Sequence, residues 1–133
     1  GQEPAQAALH SYFNIGDISQ IEVQNLPSSC YDSLQGKHTD VPSTRKIEQG
    51  VDCIYTLEED KTFLVDKAFN RRIQITHHHA DSIVLWNPWE KTPSAMKADG
   101  YRNMVCIETA RLEKLLQFGE SISAEISTLP ADI

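Results

Sequence analysis

What this sequence has little of narrows it first. Its three cysteines, Cys30, Cys53 and Cys106, are an odd number with no CxxC spacing, so neither a disulfide framework nor a cysteine metal site is expected. Each lies among apolar or aromatic residues and reads as a reduced packing residue of a cytoplasmic protein. No apolar run approaches the roughly 18 residues of a membrane-crossing helix. The opening residues, GQEPAQAA, lack the basic and apolar regions of a secretory signal. Positive charge is also scarce. Twelve Lys and Arg against 19 Asp and Glu leave a net charge of −7, which argues against nucleic acid or an anionic membrane as partner. A phosphorylated small molecule is not excluded, because local arginines can outweigh the global sign.

Long amphipathic helical patterns are missing as well, and so are internal repeats, low-complexity tracts and linkers. What remains is a succession of short alternating segments. Leu9 and Phe13 within AALHSYF (7–13) suggest a strand, and Ile21 with Val23 a second. Tyr31 to Leu34 suggests a short third strand. Gln35 to Gly50 is polar and reads as a surface excursion. Val51, Cys53, Tyr55 and Leu57 alternate clearly with Asp52, Ile54 and Thr56. Phe63 and Val65 continue the alternation, followed by Ile73 and Ile75. Ala110 to Leu116 has leucines at helix-like spacing and reads as a loop or a single helical turn. Ile122, Ala124 and Ile126 mark a last strand, ended by Pro130. Asp17 and Asp32 follow strands and are expected to close turns through their side chains. Many short strands joined by Gly, Pro and Asn turns predict an all-β chain, a sandwich forming one domain over residues 1–133.

The candidate chemistry centres on residues 82–108. An apolar run, Ile83 to Trp86, breaks at Asn87-Pro88, and a second run, Met104 to Ile107, ends on Glu108. An acid at the end of a buried strand is costly unless it is paired or used. Trp86 and Trp89 flank the Asn-Pro turn, and aromatic faces beside polar groups suit a sugar site. His10 is the natural partner for Glu108, since an imidazole and a carboxylate can act as acid and base on one substrate. On local sequence alone, a hydrogen-bonded strand histidine is the favoured reading of His10. His77-His78-His79 invites a metal reading, but adjacent strand residues face opposite ways and no acid or cysteine has ligand spacing, so a polar strand end is expected. Asp52 faces either solvent or a concave polar site. Arg71-Arg72 could meet a phosphate but more simply flank a strand.

The segments ALHSYFNIGDI (8–18), NLPSSCYDS (25–33), VDCIY (51–55), RRIQITHHHADSIVLWNPW (71–89) and DGYRNMVCIETA (99–110) occur in an order that resembles the glucose-6-phosphate 1-epimerases, or hexose-6-phosphate mutarotases, of the aldose 1-epimerase superfamily. The resemblance covers nearly the whole chain and the C-terminal half of such proteins. It implies a galactose mutarotase-like β-supersandwich and the interconversion of α and β anomers of a hexose 6-phosphate without a cofactor or metal. It places the catalytic histidine at His10, the catalytic glutamate at Glu108 and a substrate-binding aspartate at Asp52; beside them Trp86 and Asn87 read as site walls, with packing as the rival reading. The phosphate-gripping arginines of the family lie upstream of this segment, so a carbohydrate-binding piece without full activity is the alternative expectation. The link Lys91–Ala98 is also shorter than the family's. Half a sandwich leaves strand edges unpaired, and the chain alone is expected to pair with a second copy or with its missing half. Sedimentation of a stable, well-folded monomer would count against that expectation.

Overall fold

The computed structural model describes residues 4–129, and within them every regular element except two short 3-10 turns is a β-strand. The strands are β1 (Ala5–Leu9), β2 (Tyr12–Asn14), β3 (Ile21–Gln24), β4 (Ser29–Asp32), β5 (Lys37–Asp40), β6 (Val51–Thr56), β7 (Lys61–Asp66), β8 (Arg71–His78), β9 (Ser82–Asn87), β10 (Met104–Leu116) and β11 (Ser123–Leu129). One sheet runs β1-β10-β9-β6-β4-β5, with β2 sharing the edge of β10 beside β1. The other runs β11-β8-β7-β3. All pairings are antiparallel. Pro130, expected to end the last strand, lies outside the described residues.

Period-2 alternation decides which side chains close the core between the sheets. Val51, Cys53 and Tyr55 of β6 point inward with Ile83 and Leu85 of β9 and Val105 and Ile107 of β10, and Ile73 and Ile75 of β8 meet them from the other sheet. The three cysteines are buried and free, as their surroundings predicted. Burial pushes the thiols of Cys30 and Cys106 up to about 12, so both remain uncharged. Asp17 accepts from Ser19 N and Asp32 from Leu34 N and Gln35 N, which are the turn roles their positions suggested.

Four local expectations are corrected. The strand expected over 7–13 is two strands, interrupted at His10-Ser11, where Ser11 N turns back on Leu9 O at 3.0 Å. On β7, Leu64 faces the core with Thr62, while Phe63 lies outside beneath the Arg72 guanidinium at 4.2 Å. The polar excursion 35–50 contains β5 and sends fully buried Ile47 into the core. Finally, Ala110–Leu116 is the second half of the 13-residue strand β10. Its leucine spacing mimics a helix because the strand bulges there. The amides of Leu112, Glu113 and Lys114 all donate to the Asp81 carboxylate, and the β1 register shifts between Ala5 and Ala7.

Two buried polar groups tie the layers. His77 on β8 lies between Thr62 Oγ1 of its own sheet (2.9 Å) and Thr109 Oγ1 of the opposite sheet (2.7 Å). The polar strand end that the triplet suggested holds only for half-buried His78 and exposed His79, since His77 lies in the interior. Among the described residues no cluster of His, Cys, Asp or Glu is arranged to hold a metal ion. Asp66 is fully buried and accepts from Arg71 at 3.1 Å, from Gly16 N and from Phe69 N, so Arg71 is committed to structure.

Candidate active site

The site forms on the outer face of the larger sheet. Register alone places it. Asp52 pairs with Trp86, Trp86 with Cys106, and Cys106 with Tyr12, giving one row across four strands. The next row on that face carries Ile54, Val84 and Glu108. The register between β10 and the β1–β2 edge is the same on both sides of the Leu9–Tyr12 break, so His10 falls opposite Glu108. Side chains two apart on a strand share a face, and therefore the two rows are adjacent.

The interruption at His10-Ser11 has a function in this geometry. The tight turn releases His10 from the ladder, while Ile107 N still bonds Ser11 O at 3.2 Å. The His10 Nε2 atom then lies 3.3 Å from Glu108 Oε2. About half of the imidazole is exposed, whereas the Glu108 carboxylate is nearly buried. On the other side of the ring, Nδ1 is 3.9 Å from Cys106 Sγ. The Tyr12 ring lies 4.8 Å from the imidazole and Trp86 closes edge-on at 6.0 Å, so two aromatic walls frame the pair.

Electrostatics favours use of the carboxylate as a base. Burial raises the Glu108 pKa above its ordinary value, His10 opposes the rise and the Asp52 charge adds to it. Asp52 is itself raised, by burial and then by the charge of Asp32. Two carboxylates thus share this face with one imidazole. Beyond Asp52 and Trp86 the face deepens into a cleft of about 600 Å³, bordered by Leu34, Gln35, Trp89 and Lys91. Arginine is absent from this arrangement. Arg45 donates to Tyr55 Oη, Arg71 holds Asp66, Arg72 covers Phe63, Arg102 lies against Tyr101, and Arg111 is tied to Glu120 and the His79 carbonyl.

Of the residues expected from sequence, His10, Glu108 and Trp86 come together, and Asp52 is one row away on the same face. The Asn87 side chain does not join them. It is 1% exposed and points to the core side, where its amide donates to the carbonyls of Tyr101 and Met104, each at 2.9 Å. Its oxygen accepts from Trp89 N at 2.7 Å. Asn87 therefore pins the 88–103 loop and holds Trp89 in a left-handed conformation, φ 57°. Truncating it would orphan three backbone groups, so Asn87→Ala is expected to cost about 2–4 kcal/mol in urea unfolding. A loss below about 1 kcal/mol would refute this pinning role. Tyr12 and Cys106 were missed. The available signal was period 2, since each stands two residues from a catalytic candidate on the same face.

The comparisons with known proteins bear on the family and the fold. The family model of aldose 1-epimerase matches residues 2–128. The chain is 56% identical over 127 residues to the "Putative glucose-6-phosphate 1-epimerase" of Haemophilus influenzae, a match covering 96% of this chain and 47% of that protein. To the Escherichia coli protein of the same name it is 32% identical over 115 residues, covering 83% and 39%. The crystal structure of HI1317 superposes with a TM-score of 0.95 at 55% identity, over 97% of this chain and 48% of that one. A crystal structure named as a "putative mutarotase" from Salmonella typhimurium gives 0.83 at 30% identity, over 96% and 45%. The chain spans less than half the length of each of these relatives. Its two sheets are a mutarotase-like β-sandwich, and the chain belongs to the aldose 1-epimerase family.

Proposed function

We propose that this chain carries the acid–base half of a site that interconverts the α and β anomers of a hexose 6-phosphate. The observation that supports it is the 3.3 Å contact of His10 Nε2 with Glu108 Oε2 on an open, aromatic-walled face. In a pyranose the anomeric hydroxyl and the ring oxygen are bonded to one carbon, so a close acid and base can serve both. Glu108 removes the proton of the anomeric hydroxyl while His10 protonates the ring oxygen, and the C1–ring oxygen bond breaks. The open aldehyde rotates about C1–C2. Reclosure on the other face returns both protons to their donors, with no oxidant, reductant or cofactor consumed.

Asp52, at the mouth of the cleft, would accept from sugar hydroxyls, and Trp86 and Tyr12 would pack against the apolar ring face. The phosphate needs another source of charge. A face with two carboxylates and one imidazole repels a dianion, and the arginines of this chain are engaged elsewhere. The phosphate-gripping groups are therefore assigned to the part of the protein that pairs with this segment, in keeping with relatives more than twice its length. The same observation supports the alternative that this segment in isolation binds carbohydrate without useful turnover.

The test is anomer exchange of freshly dissolved α-glucose 6-phosphate, followed by polarimetry or by an anomer-specific coupled enzyme. The full-length protein should accelerate exchange of the phosphorylated sugar more than that of glucose. The isolated segment should lose that preference. No acceleration by the full-length protein would sink the reading.

A further inference from the structure

The His10 ring is held from both nitrogens, and the reaction uses only one of them. We infer that Cys106 is a positioning residue for His10, its thiol fixing the imidazole through Nδ1 so that Nε2 is presented to Glu108 and the substrate. The inference rests on the acid–base reading for its kinetic part, but the contact itself is geometric. Cys106 Sγ lies 3.9 Å from Nδ1, and Glu108 Oε2 lies 3.3 Å from Nε2. An ionised carboxylate only accepts, so Nε2 must carry the proton at that contact, and in the neutral ring Nδ1 is then an acceptor. The S–H group of Cys106 supplies the donor it needs.

A thiol suits this position for a second reason. When His10 acts as acid it starts as the imidazolium, with protons on both nitrogens, and ends as the neutral ring. The proton released is the one on Nε2, so Nδ1 keeps its own proton and remains a donor throughout the step. A thiol rotating about Cβ–Sγ accepts weakly from Nδ1–H before and after that transfer, and donates weakly to Nδ1 when the resting neutral ring carries its proton on Nε2. A carboxylate at the same place could only accept, and would hold the imidazolium against release of its proton. Cys106 is fully buried, and its sulfur remains a thiol because burial and the neighbouring Glu108 charge disfavour the thiolate. Tyr12, paired with Cys106 across the strands, closes the outer side of the same ring. The arrangement generalises a familiar rule, in which the acid–base group is itself oriented by a third group.

Two replacements separate positioning from packing. Valine has the bulk of cysteine and no hydrogen-bonding atom, whereas serine keeps a rotating donor–acceptor but packs less well in an apolar site. In the full-length protein, Cys106→Val is expected to lower kcat about tenfold with KM nearly unchanged, because a loosely held ring spends less time in register. Cys106→Ser is expected to stay within about threefold of the parent kcat while melting at a lower temperature than the valine variant. A packing role alone predicts the reverse order of activities. Independently of turnover, the ring C–H signals of His10 in labelled protein should be displaced by the Tyr12 and Trp86 rings. That displacement should collapse in Cys106→Val and persist in Cys106→Ser. If the valine variant keeps both kcat and the His10 signals, or if serine behaves as valine does, the inference is overturned. If the His10 signals respond as expected but Glu108→Gln leaves turnover intact, the positioning contact stands and the acid–base reading falls.

Discussion

Glu108→Gln is expected to lower the rate of α-glucose 6-phosphate exchange by about 10²–10⁴ in the full-length protein while leaving the fold intact. Glutamine preserves the shape of the side chain and can still hydrogen-bond His10 Nε2 through its carbonyl. What it lacks is the ability to take a proton from the anomeric hydroxyl. Stability should not fall with the charge. Glu108 is raised chiefly by burial, so ionising it costs free energy in the folded state, and a neutral isostere removes that cost. His10→Gln is expected to be similarly damaging, and the double variant should be little worse than either single one, because the pair acts as a unit. The pH profile carries the same signature. Rate is lost as pH falls through the Glu108 pKa, since the base is then protonated, and this limb should lie above the ordinary glutamate value. Near-normal exchange by Glu108→Gln, or an acid limb at the usual glutamate value, would refute the assignment of the base.

How much of this was legible in the chain differs between fold and site, for reasons that residues make plain. β6 could be read because Val51, Cys53 and Tyr55 alternate with Asp52, Ile54 and Thr56, the polar ends of that second set marking the outer face, and one buried face requires that pattern. The far half of β10 could not. Its extended course depends on the Asp81 carboxylate, about thirty residues away, gathering three successive amides, while Leu112, Leu115 and Leu116 imitate a helical spacing. Ile47 was hidden in the same way, as one apolar residue in a polar stretch that the sheet pulls inward. At the site, the types and identities of His10 and Glu108 were available from the sequence, but their contact is a property of register. One further residue between Leu9 and Tyr12 would move the imidazole off Glu108. Asn87 was misplaced by one step of the same alternation. It follows Trp86, so if Trp86 faces the site, Asn87 faces the core.

Acidification should weaken the fold well above the pH at which ordinary carboxylates titrate, and His77 is the cause. Burial between the sheets lowers its pKa from 6.5 to about 4, with opposing charge from Asp60 insufficient to restore it. The hydroxyls of Thr62 and Thr109 can each donate or accept, so they satisfy either ring nitrogen and do not by themselves forbid the cation. The penalty is the removal of a charge from water. In the unfolded chain His77 binds its proton near pH 6.5, whereas the folded state refuses it until about pH 4. The unfolded state therefore holds more protons throughout that window. Stability from this group is complete above pH 6.5, drains away as pH falls, and is exhausted below about 4, a total of about 3 kcal/mol. Between pH 6.5 and 5 the slope is nearly free of other contributions of the same sign. Asp81 and Glu120 are lowered and act at more acid pH, and Glu108, being raised, works in the opposite direction. Urea midpoints at pH 7, 6 and 5 should decline steadily for the parent protein. His77→Gln keeps polar atoms between the threonines but does not titrate, so it should start lower at pH 7 and decline much less. Equal slopes for the two proteins would show that the interior histidine is charged in the fold after all, and that the sheets are bridged by a cation rather than by a neutral ring.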